Sequence, residues 1–306
     1  MAVDMSVKIC GIVFKNPVIA ASGTFSFGSD HARFIDINRL GGVALKSLTP
    51  EKRAGNSPPR VAETASGMLN SVGLQNPGVS GFKEKILRDV EKLDTVVIAN
   101  VAGGQISDYV RVIEELNDTR IDMFELNISC PNVKLGGAGI GTDANAASEC
   151  VKAAKKAAKK PVIVKLTPAA GDMVRIAKAV ESAGADALSL INTLPAMAVD
   201  LKTRRPVLGN VSGGLSGPCI KPVALKMVYD VSRAVKIPVI GMGGIMSGED
   251  AAEFMICGAS AVMTGTVNLI DPEASPRIIG ELERYAESAG IRNIASLTGA
   301  LEVDVG

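Results

Sequence analysis

The stretch VIVKLTPAAGDMVRIAKAVESA, Val162–Ala183, holds one strand pattern and one helix pattern, and it decides the fold of this chain. Val162–Leu166 is a short, mostly apolar run rich in β-branched residues, which is typical of a buried strand. Asp172–Ala183 carries apolar residues at the spacing of an amphipathic helix. A strand followed by a helix is the repeating unit of parallel α/β folds.

Eight strand patterns of this kind occur along the chain, with helical patterns between them, of which six are given as examples. We predict strands at Val18–Ala21, Val43–Ser47, Val96–Asn100, Met123–Asn127, Val162–Leu166, Ala187–Asn192, Val239–Met242 and Ala261–Gly265. We predict helices at Ser107–Leu116, Ala144–Ala158, Asp172–Ala183, Ile220–Val235, Gly248–Cys257 and Ser275–Ala289. Eight units indicate an α/β fold of the (β/α)8 TIM barrel type, typically ~250 residues long. An open doubly wound sheet is the alternative, and strands apolar enough to be buried on both faces favour the barrel.

Two insertions are longer than ordinary connections between strand and helix. Thr49–Ser80 is rich in proline, glycine and asparagine, and Leu194–Pro218 contains Gly213-Gly-Leu-Ser-Gly217. Both follow strands, so we expect inserted loops on the C-terminal face of the barrel. Long loops at that face are usually lids or binding loops.

Composition excludes several classes of function. The 306 residues carry a net charge of +1 with no long run of one sign, which argues against nucleic acid or an anionic membrane as the main partner. Aromatic residues are 3% of the chain and tryptophan is absent, so stacking platforms for single-stranded nucleic acid are not expected. We find no signal peptide and no apolar window near the ~18 residues of a spanning helix.

The five cysteines are an odd number and none lies at metal-ligand spacing from another. We therefore expect a reduced, cytoplasmic protein with no metal site of its own. Cys10, Cys150, Cys219 and Cys257 are predicted to be packing residues.

Polar residues and glycines collect at the ends of the predicted strands, which converge on one face of a barrel. They are Ser22, Lys46, Ser47, Asn100, Asn127, Lys165, Asn192, Thr193, Gly243, Gly244, Gly265 and Thr266. No Asp or Glu is among them, so the set favours an anion or a polar planar ring over a bare metal ion. The glycines of the last two units predict a phosphate site, with tight turns as the alternative.

Lys165 is predicted to point into the barrel. A buried lysine is unfavourable unless it meets an anion or an electron-rich group. A structural ion pair and a Schiff-base lysine of a barrel aldolase remain alternatives.

Cys130, in Asn127-Ile-Ser-Cys-Pro-Asn132, is the leading candidate for a catalytic base. The chain has one histidine, His31, so the usual proton-transfer residue is nearly absent. Cys130 lies just after a predicted strand, and Asn127 and Asn132 flank it. A small buried apolar role is the alternative for this cysteine.

Five motifs together resemble the dihydroorotate dehydrogenase family over almost the whole chain. They are Asn127-Ile-Ser-Cys-Pro-Asn-Val-Lys134, Asn70-Ser-Val-Gly-Leu-Gln-Asn76, Val164-Lys-Leu-Thr-Pro168, Asn210-Val-Ser-Gly-Gly-Leu-Ser-Gly217 and Gly241-Met-Gly-Gly-Ile245. Cysteine at position 130, where the membrane-bound class has serine, resembles class 1. The Asn-Val-Lys134 extension and Thr203-Arg-Arg-Pro206 resemble the class 1B, NAD-dependent catalytic subunit.

The resemblance implies one FMN per chain, a single FMN-binding barrel domain over 1–306, and oxidation of dihydroorotate to orotate in pyrimidine biosynthesis. Cys130 would remove the C5 proton while C6 gives hydride to flavin N5, and Lys165 would stabilise the reduced ring. Implied cofactor-binding residues are Ser22, Lys46, Ser47, Asn100, Asn127, Lys165, Ile191, Gly217, Gly243, Gly244, Gly265 and Thr266. Implied substrate-binding residues are Lys46, Asn70, Ser71, Val72, Gly73, Leu74, Asn127, Asn132, Asn192 and Thr193.

The resemblance also implies an electron-transfer subunit carrying FAD and a [2Fe–2S] cluster, bound to a homodimer core in a heterotetramer. Its cluster would lie on the partner, because the cysteine spacing here suits none. Class 1A enzymes, which use fumarate, are the nearest alternative. An aldolase or lyase using Lys165 and a non-catalytic flavin- or phosphate-binding scaffold are more distant ones.

Overall fold

The computed structural model describes residues 2–128 and 137–303. Eight parallel strands close into a barrel, so the predicted (β/α)8 fold is confirmed over the open sheet. The strands of the described residues are β1 Val7–Ile9, β2 Ile12–Phe14, β3 Val18–Ala20, β4 Gly42–Ala44, β5 Val61–Thr64, β6 Gly67–Asn70, β7 Val96–Val101, β8 Met123–Asn127, β9 Val162–Lys165, β10 Ala187–Leu190, β11 Leu194–Ala196, β12 Val199–Asp200, β13 Arg205–Pro206, β14 Gly213–Ser216, β15 Val239–Met242 and β16 Ala261–Thr264.

The barrel order is β3-β4-β7-β8-β9-β10-β15-β16, with β16 returning to β3. Every residue of these eight strands is buried, as expected when helices cover the outside and side chains fill the inside. The predicted strands all exist, with ends that differ by at most three residues.

Helices surround the barrel, and the side chain of the residue just before a helix caps several of them at the N-terminus. The Asp172 carboxylate accepts a hydrogen bond from the Arg175 N–H at 2.9 Å, and the Asp143 carboxylate accepts one from the Ala146 N–H at 2.8 Å. No helix among the described residues is long and apolar enough to cross a membrane. The α-helices are α1 Gly78–Lys85, α2 Leu87–Val90, α3 Ile106–Leu116, α4 Gly137–Thr142, α5 Ala144–Ala157, α6 Met173–Ser182, α7 Lys221–Ser232, α8 Gly248–Ile256, α9 Val267–Ile270 and α10 Ala274–Ser288, with 3-10 turns at His31–Arg33, Ile37–Arg39, Pro218–Ile220 and Ile294–Leu297.

An N-terminal hairpin, β1 with β2, precedes the barrel and was not among the predicted strands. Its turn, Cys10-Gly11, has positive φ at both residues, which matches the right-handed twist of the paired strands. Phe14 is fully buried and packs against Gly42 at the start of β4.

The two insertions are not the plain loops that the sequence predicts. They pair with each other in a four-stranded antiparallel sheet of order β11-β14-β6-β5, and β12 pairs with β13 in a separate hairpin. A Cβ on Gly213 would clash with the Asn70 carbonyl oxygen, and one on Gly214 would clash with Thr193 Oγ1. Glycine is therefore required for this close pairing, and the sheet forms a wall beside the carboxyl ends of the barrel strands.

Candidate active site

A cavity of about 320 Å³ lies between the carboxyl ends of the barrel strands and the sheet of the two insertions. Its volume is within the range of small-molecule sites, roughly 300–1,000 Å³. The predicted binding residues that line it are Ser22, Lys46, Ser47, Asn70, Val72, Gly73, Leu74, Asn127, Lys165, Ile191, Asn192, Thr193, Gly217, Gly243, Gly244, Gly265 and Thr266.

Two predicted site residues of the described ranges, Ser71 and Asn100, do not line the cavity and are fully buried. Cys130 and Asn132 lie outside the described residues. His31 stacks on Phe25, with ring centroids 4.0 Å apart, and does not line the cavity.

One end of the cavity is made of backbone that only glycine can form. Gly217, Gly243 and Gly244 have φ of 103°, 130° and 83°, in the left-handed region. A Cβ on Gly244 would lie 2.8 Å from the Gly217 carbonyl oxygen, and one on Gly243 would lie 2.8 Å from Ala224 Cβ. Backbone without side chains lets N–H groups approach an anionic ligand closely, which suits a phosphate.

Asp250 on α8 holds the loop that contains these glycines. Its carboxylate accepts hydrogen bonds from the N–H groups of Met246 at 2.7 Å and Ser247 at 3.0 Å, and from Lys221 Nζ at 2.5 Å. Burial opposes ionisation of this carboxyl, but the hydrogen bonds outweigh it and lower the pKa of Asp250 below 3.8. The ionised carboxylate therefore fixes the loop, and sequence reasoning missed it because it lies on the following helix.

Lys165 brings a cation to the cavity. Its side chain is 6% exposed, and within 2–128 and 137–303 it has no hydrogen bond or ion pair. The structural ion pair considered for Lys165 is therefore not found in that part of the chain. A buried ammonium that pairs with no residue of the described ranges fits a site for an anion or an electron-rich ring.

A chain of side-chain hydrogen bonds runs from the cavity into the barrel. Asn192 Nδ2 donates to Asn127 Oδ1 at 3.4 Å, and Asn127 Nδ2 donates to Ser47 Oγ at 3.5 Å. Ser47 Oγ donates to Asn100 Oδ1 at 2.5 Å, and Asn100 Nδ2 donates to Glu125 Oε2 at 2.5 Å. Asn100 is thus one hydrogen bond behind the cavity wall.

Glu125, which accepts the last hydrogen bond of this chain, was not predicted from the strand ends because it lies inside β8. A signal was present: it is an acidic residue in an apolar strand, two positions before Asn127, so both side chains point to the same side.

Other residues of the lining that sequence reasoning missed are mostly apolar. Met242 and Met263 are nearly fully buried, and together with Met246 and Ile220 they form one side of the cavity. Thioethers adapt to irregular surfaces and contact aromatic rings favourably, which suits one face of a planar ring.

The segment Asn70–Leu74 forms the opposite wall, and Asn56 supports it. Asn56 Nδ2 donates to the Ser71 carbonyl at 2.9 Å, and the Asn56 N–H donates to the Val72 carbonyl at 3.1 Å. Gly73 and Leu74 have φ of 73° and 56°, so the chain turns sharply toward the cavity. Asn56 gave no signal in the sequence, because it belongs to a segment without a regular pattern.

Comparison with known proteins agrees with these observations. A family model described as "Dihydroorotate dehydrogenase" matches residues 4–285. A protein of Alkaliphilus metalliredigens named "Dihydroorotate dehydrogenase B (NAD(+)), catalytic subunit" is 52% identical over 299 residues, covering 98% of this chain and 99% of the relative. One of Petrotoga mobilis with the same name is 50% identical over 299 residues, covering 98% and 100%.

A solved structure shows the same fold. The crystal structure of DHODH from Eimeria tenella in complex with ferulenol has a TM-score of 0.82 at 24% identity, covering 97% of this chain and 88% of that chain. At that identity the likeness concerns the fold alone. The relatives that are 50–52% identical over the whole chain confirm the resemblance to the class 1B catalytic subunit. Together with the family model, they show that the chain belongs to the dihydroorotate dehydrogenase family.

Proposed function

We propose that this chain oxidises dihydroorotate to orotate in pyrimidine biosynthesis, as the FMN-containing catalytic subunit of an NAD-linked enzyme. The observation that carries the proposal is one cavity that gathers a glycine backbone, a buried lysine and a set of amides. The names of relatives that match the chain from end to end support the same activity.

The described residues fit FMN. Gly217, Gly243 and Gly244, with Gly265 and Thr266, would hold the phosphate, and Lys165 would face the electron-rich edge of the ring. FMN, when bound, supplies the acceptor for the hydride that leaves C6 of dihydroorotate. The charge of Lys165 would stabilise negative charge that develops in the cavity.

Amide side chains would hold the substrate. Asn70, Asn127 and Asn192 line the cavity from three elements, and amides offer both donors and acceptors to the ring and carboxylate of dihydroorotate. Asn132 belongs to the same predicted set.

Cys130 would act as the base. Its thiolate would take the C5 proton while the hydride leaves C6, and the C5–C6 double bond forms. A thiol with an unperturbed pKa of ~8.5 is only a few per cent thiolate at pH 7. The rate of substrate oxidation should therefore rise with pH toward the alkaline range.

The test is anaerobic mixing of the purified flavoprotein with dihydroorotate, with flavin absorbance followed through a single turnover. Wild type should bleach, and Cys130→Ala should keep its yellow flavin but lose most of the bleaching rate. Cys257→Ala is the matched control, because this half-buried thiol lies outside the cavity lining. Unchanged bleaching and an unchanged pH profile in Cys130→Ser would reject Cys130 as the base. Borohydride trapping at Lys165 in a colourless protein would instead support an aldolase.

Electrons would pass to NAD through a second subunit with FAD and a [2Fe–2S] cluster, on a homodimer core in the cytoplasm. The words "catalytic subunit" in the names of the relatives support a partner. Co-purification with an iron-containing flavoprotein that reduces NAD is the expected result. Efficient fumarate turnover by the isolated chain would favour the class 1A alternative.

A further inference from the structure

Glu125 is a carboxylate in the middle of the barrel that the proposed chemistry does not use. Its side chain is 0% exposed, and each oxygen accepts one short hydrogen bond: Oε2 from Asn100 Nδ2 at 2.5 Å and Oε1 from Ser189 Oγ at 2.6 Å. Across residues 2–128 and 137–303, no lysine, arginine or histidine pairs with it. A buried carboxylate held only by neutral donors is unfavourable, so a residue at this place needs a reason beyond packing.

We infer that Glu125 is a positioning residue, which sets the direction of the hydrogen-bond chain that ends at the amides of Asn127 and Asn192. The inference rests on the proposed function, because those amides are taken to hold the substrate.

The direction follows from what each group can do. Both carboxylate oxygens of Glu125 accept hydrogen bonds, so Asn100 turns Nδ2 toward Glu125 and Oδ1 toward Ser47. Ser47 must then donate its hydroxyl hydrogen to Asn100, which leaves its lone pairs for Asn127 Nδ2. Each donor points toward Glu125, and each acceptor points toward the cavity.

The distances show which end of the chain dominates. The two bonds nearest Glu125, from Ser47 to Asn100 and from Asn100 to Glu125, are 2.5 Å long. The bonds nearest the cavity are 3.4 and 3.5 Å, at the weak limit of hydrogen bonding. The shorter bonds therefore lie at the Glu125 end of the chain, and the donor order that they set continues to the Asn127 amide at the cavity.

Ser189 provides an internal control, because its hydroxyl donates to the same carboxylate but, within residues 2–128 and 137–303, makes no hydrogen bond to Asn100, Ser47, Asn127 or Asn192. Ser189→Ala removes one short bond to Glu125 and leaves the order of the chain intact. Glu125→Gln keeps an oxygen for Asn100 and turns its Nε2 toward Ser189, whose hydroxyl can accept. Glu125→Leu has a similar volume and removes both acceptors.

The experiment titrates orotate into each FMN-saturated variant and follows the change in flavin absorbance, with thermal unfolding measured in parallel. Glu125→Leu should bind orotate about tenfold more weakly, whereas Glu125→Gln and Ser189→Ala should stay within about threefold of wild type. If Glu125→Leu is insoluble, Asn100→Ala breaks the same chain and should show the same tenfold loss.

Three results would overturn the inference. These are wild-type orotate affinity in folded Glu125→Leu or Asn100→Ala, equal losses in Glu125→Gln and Glu125→Leu, or a loss in Ser189→Ala as large as that in Glu125→Leu. A structural role alone would lower the melting temperatures of Ser189→Ala and Glu125→Leu together without separating their orotate affinities. Failure of the wild-type protein to bind orotate would instead reject the proposed function.

Discussion

Replacing Lys165 with methionine should change folding stability and flavin binding in opposite directions. Methionine keeps the length of the side chain and removes the ammonium, which has no hydrogen bond or ion pair with the part of the chain that the structure describes. The FMN-free protein should therefore become more stable. The FMN-bound protein should lose a favourable charge.

The size of both effects can be worked from the site. A buried polar group without a partner costs roughly 1–3 kcal/mol, and Lys165 borders a cavity that water can enter, so we take about 1–2 kcal/mol. Unfolding entropy of ~2.1 cal/mol/K per residue gives about 0.6 kcal/mol/K for this chain, so Tm should rise by about 2–3 °C. A hydrogen bond to a charged group contributes about 1.5–3 kcal/mol, so the Kd for FMN should rise roughly 10- to 150-fold.

The assay is scanning calorimetry of FMN-free wild type and Lys165→Met, followed by fluorescence titration of each with FMN. Lys155→Met is the matched control, because Lys155 Nζ lies 2.5 Å from the Asp186 carboxylate at a part-buried site away from the cavity. That control should lose stability and keep wild-type FMN affinity. A Lys165→Met protein that is less stable than wild type without FMN, or that binds FMN equally well, would refute the reasoning.

Three further outcomes follow from the site and its surroundings. Gly244→Ala should lower FMN affinity at least tenfold. The new Cβ would lie 2.8 Å from the Gly217 carbonyl oxygen, and an alanine in the left-handed conformation costs roughly 1–2 kcal/mol. Equilibrium titration with FMN measures the affinity, and an unchanged affinity would contradict the prediction. Asp250→Asn should lower Tm at neutral pH, and the Tm difference from wild type should shrink as pH falls below 3.8. The reason is that the ionised carboxylate of Asp250 stabilises the fold only above its lowered pKa. A Tm difference that is constant with pH would contradict the role of this charge. Burial raises the pKa of Cys150 to about 12, so at pH 8 iodoacetamide should alkylate exposed Cys219 long before Cys150. Peptide mass spectrometry measures both alkylation rates. Equal rates would contradict the burial of Cys150.

The barrel could be predicted from the sequence because its signals are local. Each strand, such as Val239–Met242, is an apolar run buried on both faces, and each helix, such as α6, has a clear apolar side. The residues at the strand ends then predicted most of the cavity lining, because the carboxyl ends of the parallel strands of a barrel lie on one face.

The remaining features depend on contacts between distant segments. Gly214 pairs with Asn70 across the two insertions, and neither segment has an alternating pattern that announces a strand. Glu125 was not predicted because it lies inside β8, and its hydrogen bond to Asn100 depends on the neighbouring strand. The predicted roles of Cys130 and Asn132 concern residues outside the described ranges and stay predictions.

The sheet between the two insertions has a consequence for how the barrel mouth opens. One insertion follows β4 and the other follows β10, and these strands lie opposite each other in the ring of eight. The sheet therefore ties the mouth across its diameter, and neither insertion can separate without breaking backbone hydrogen bonds to the other. We therefore expect the two insertions to unfold locally as one cooperative unit, so that a change in either insertion alters ligand exchange past both.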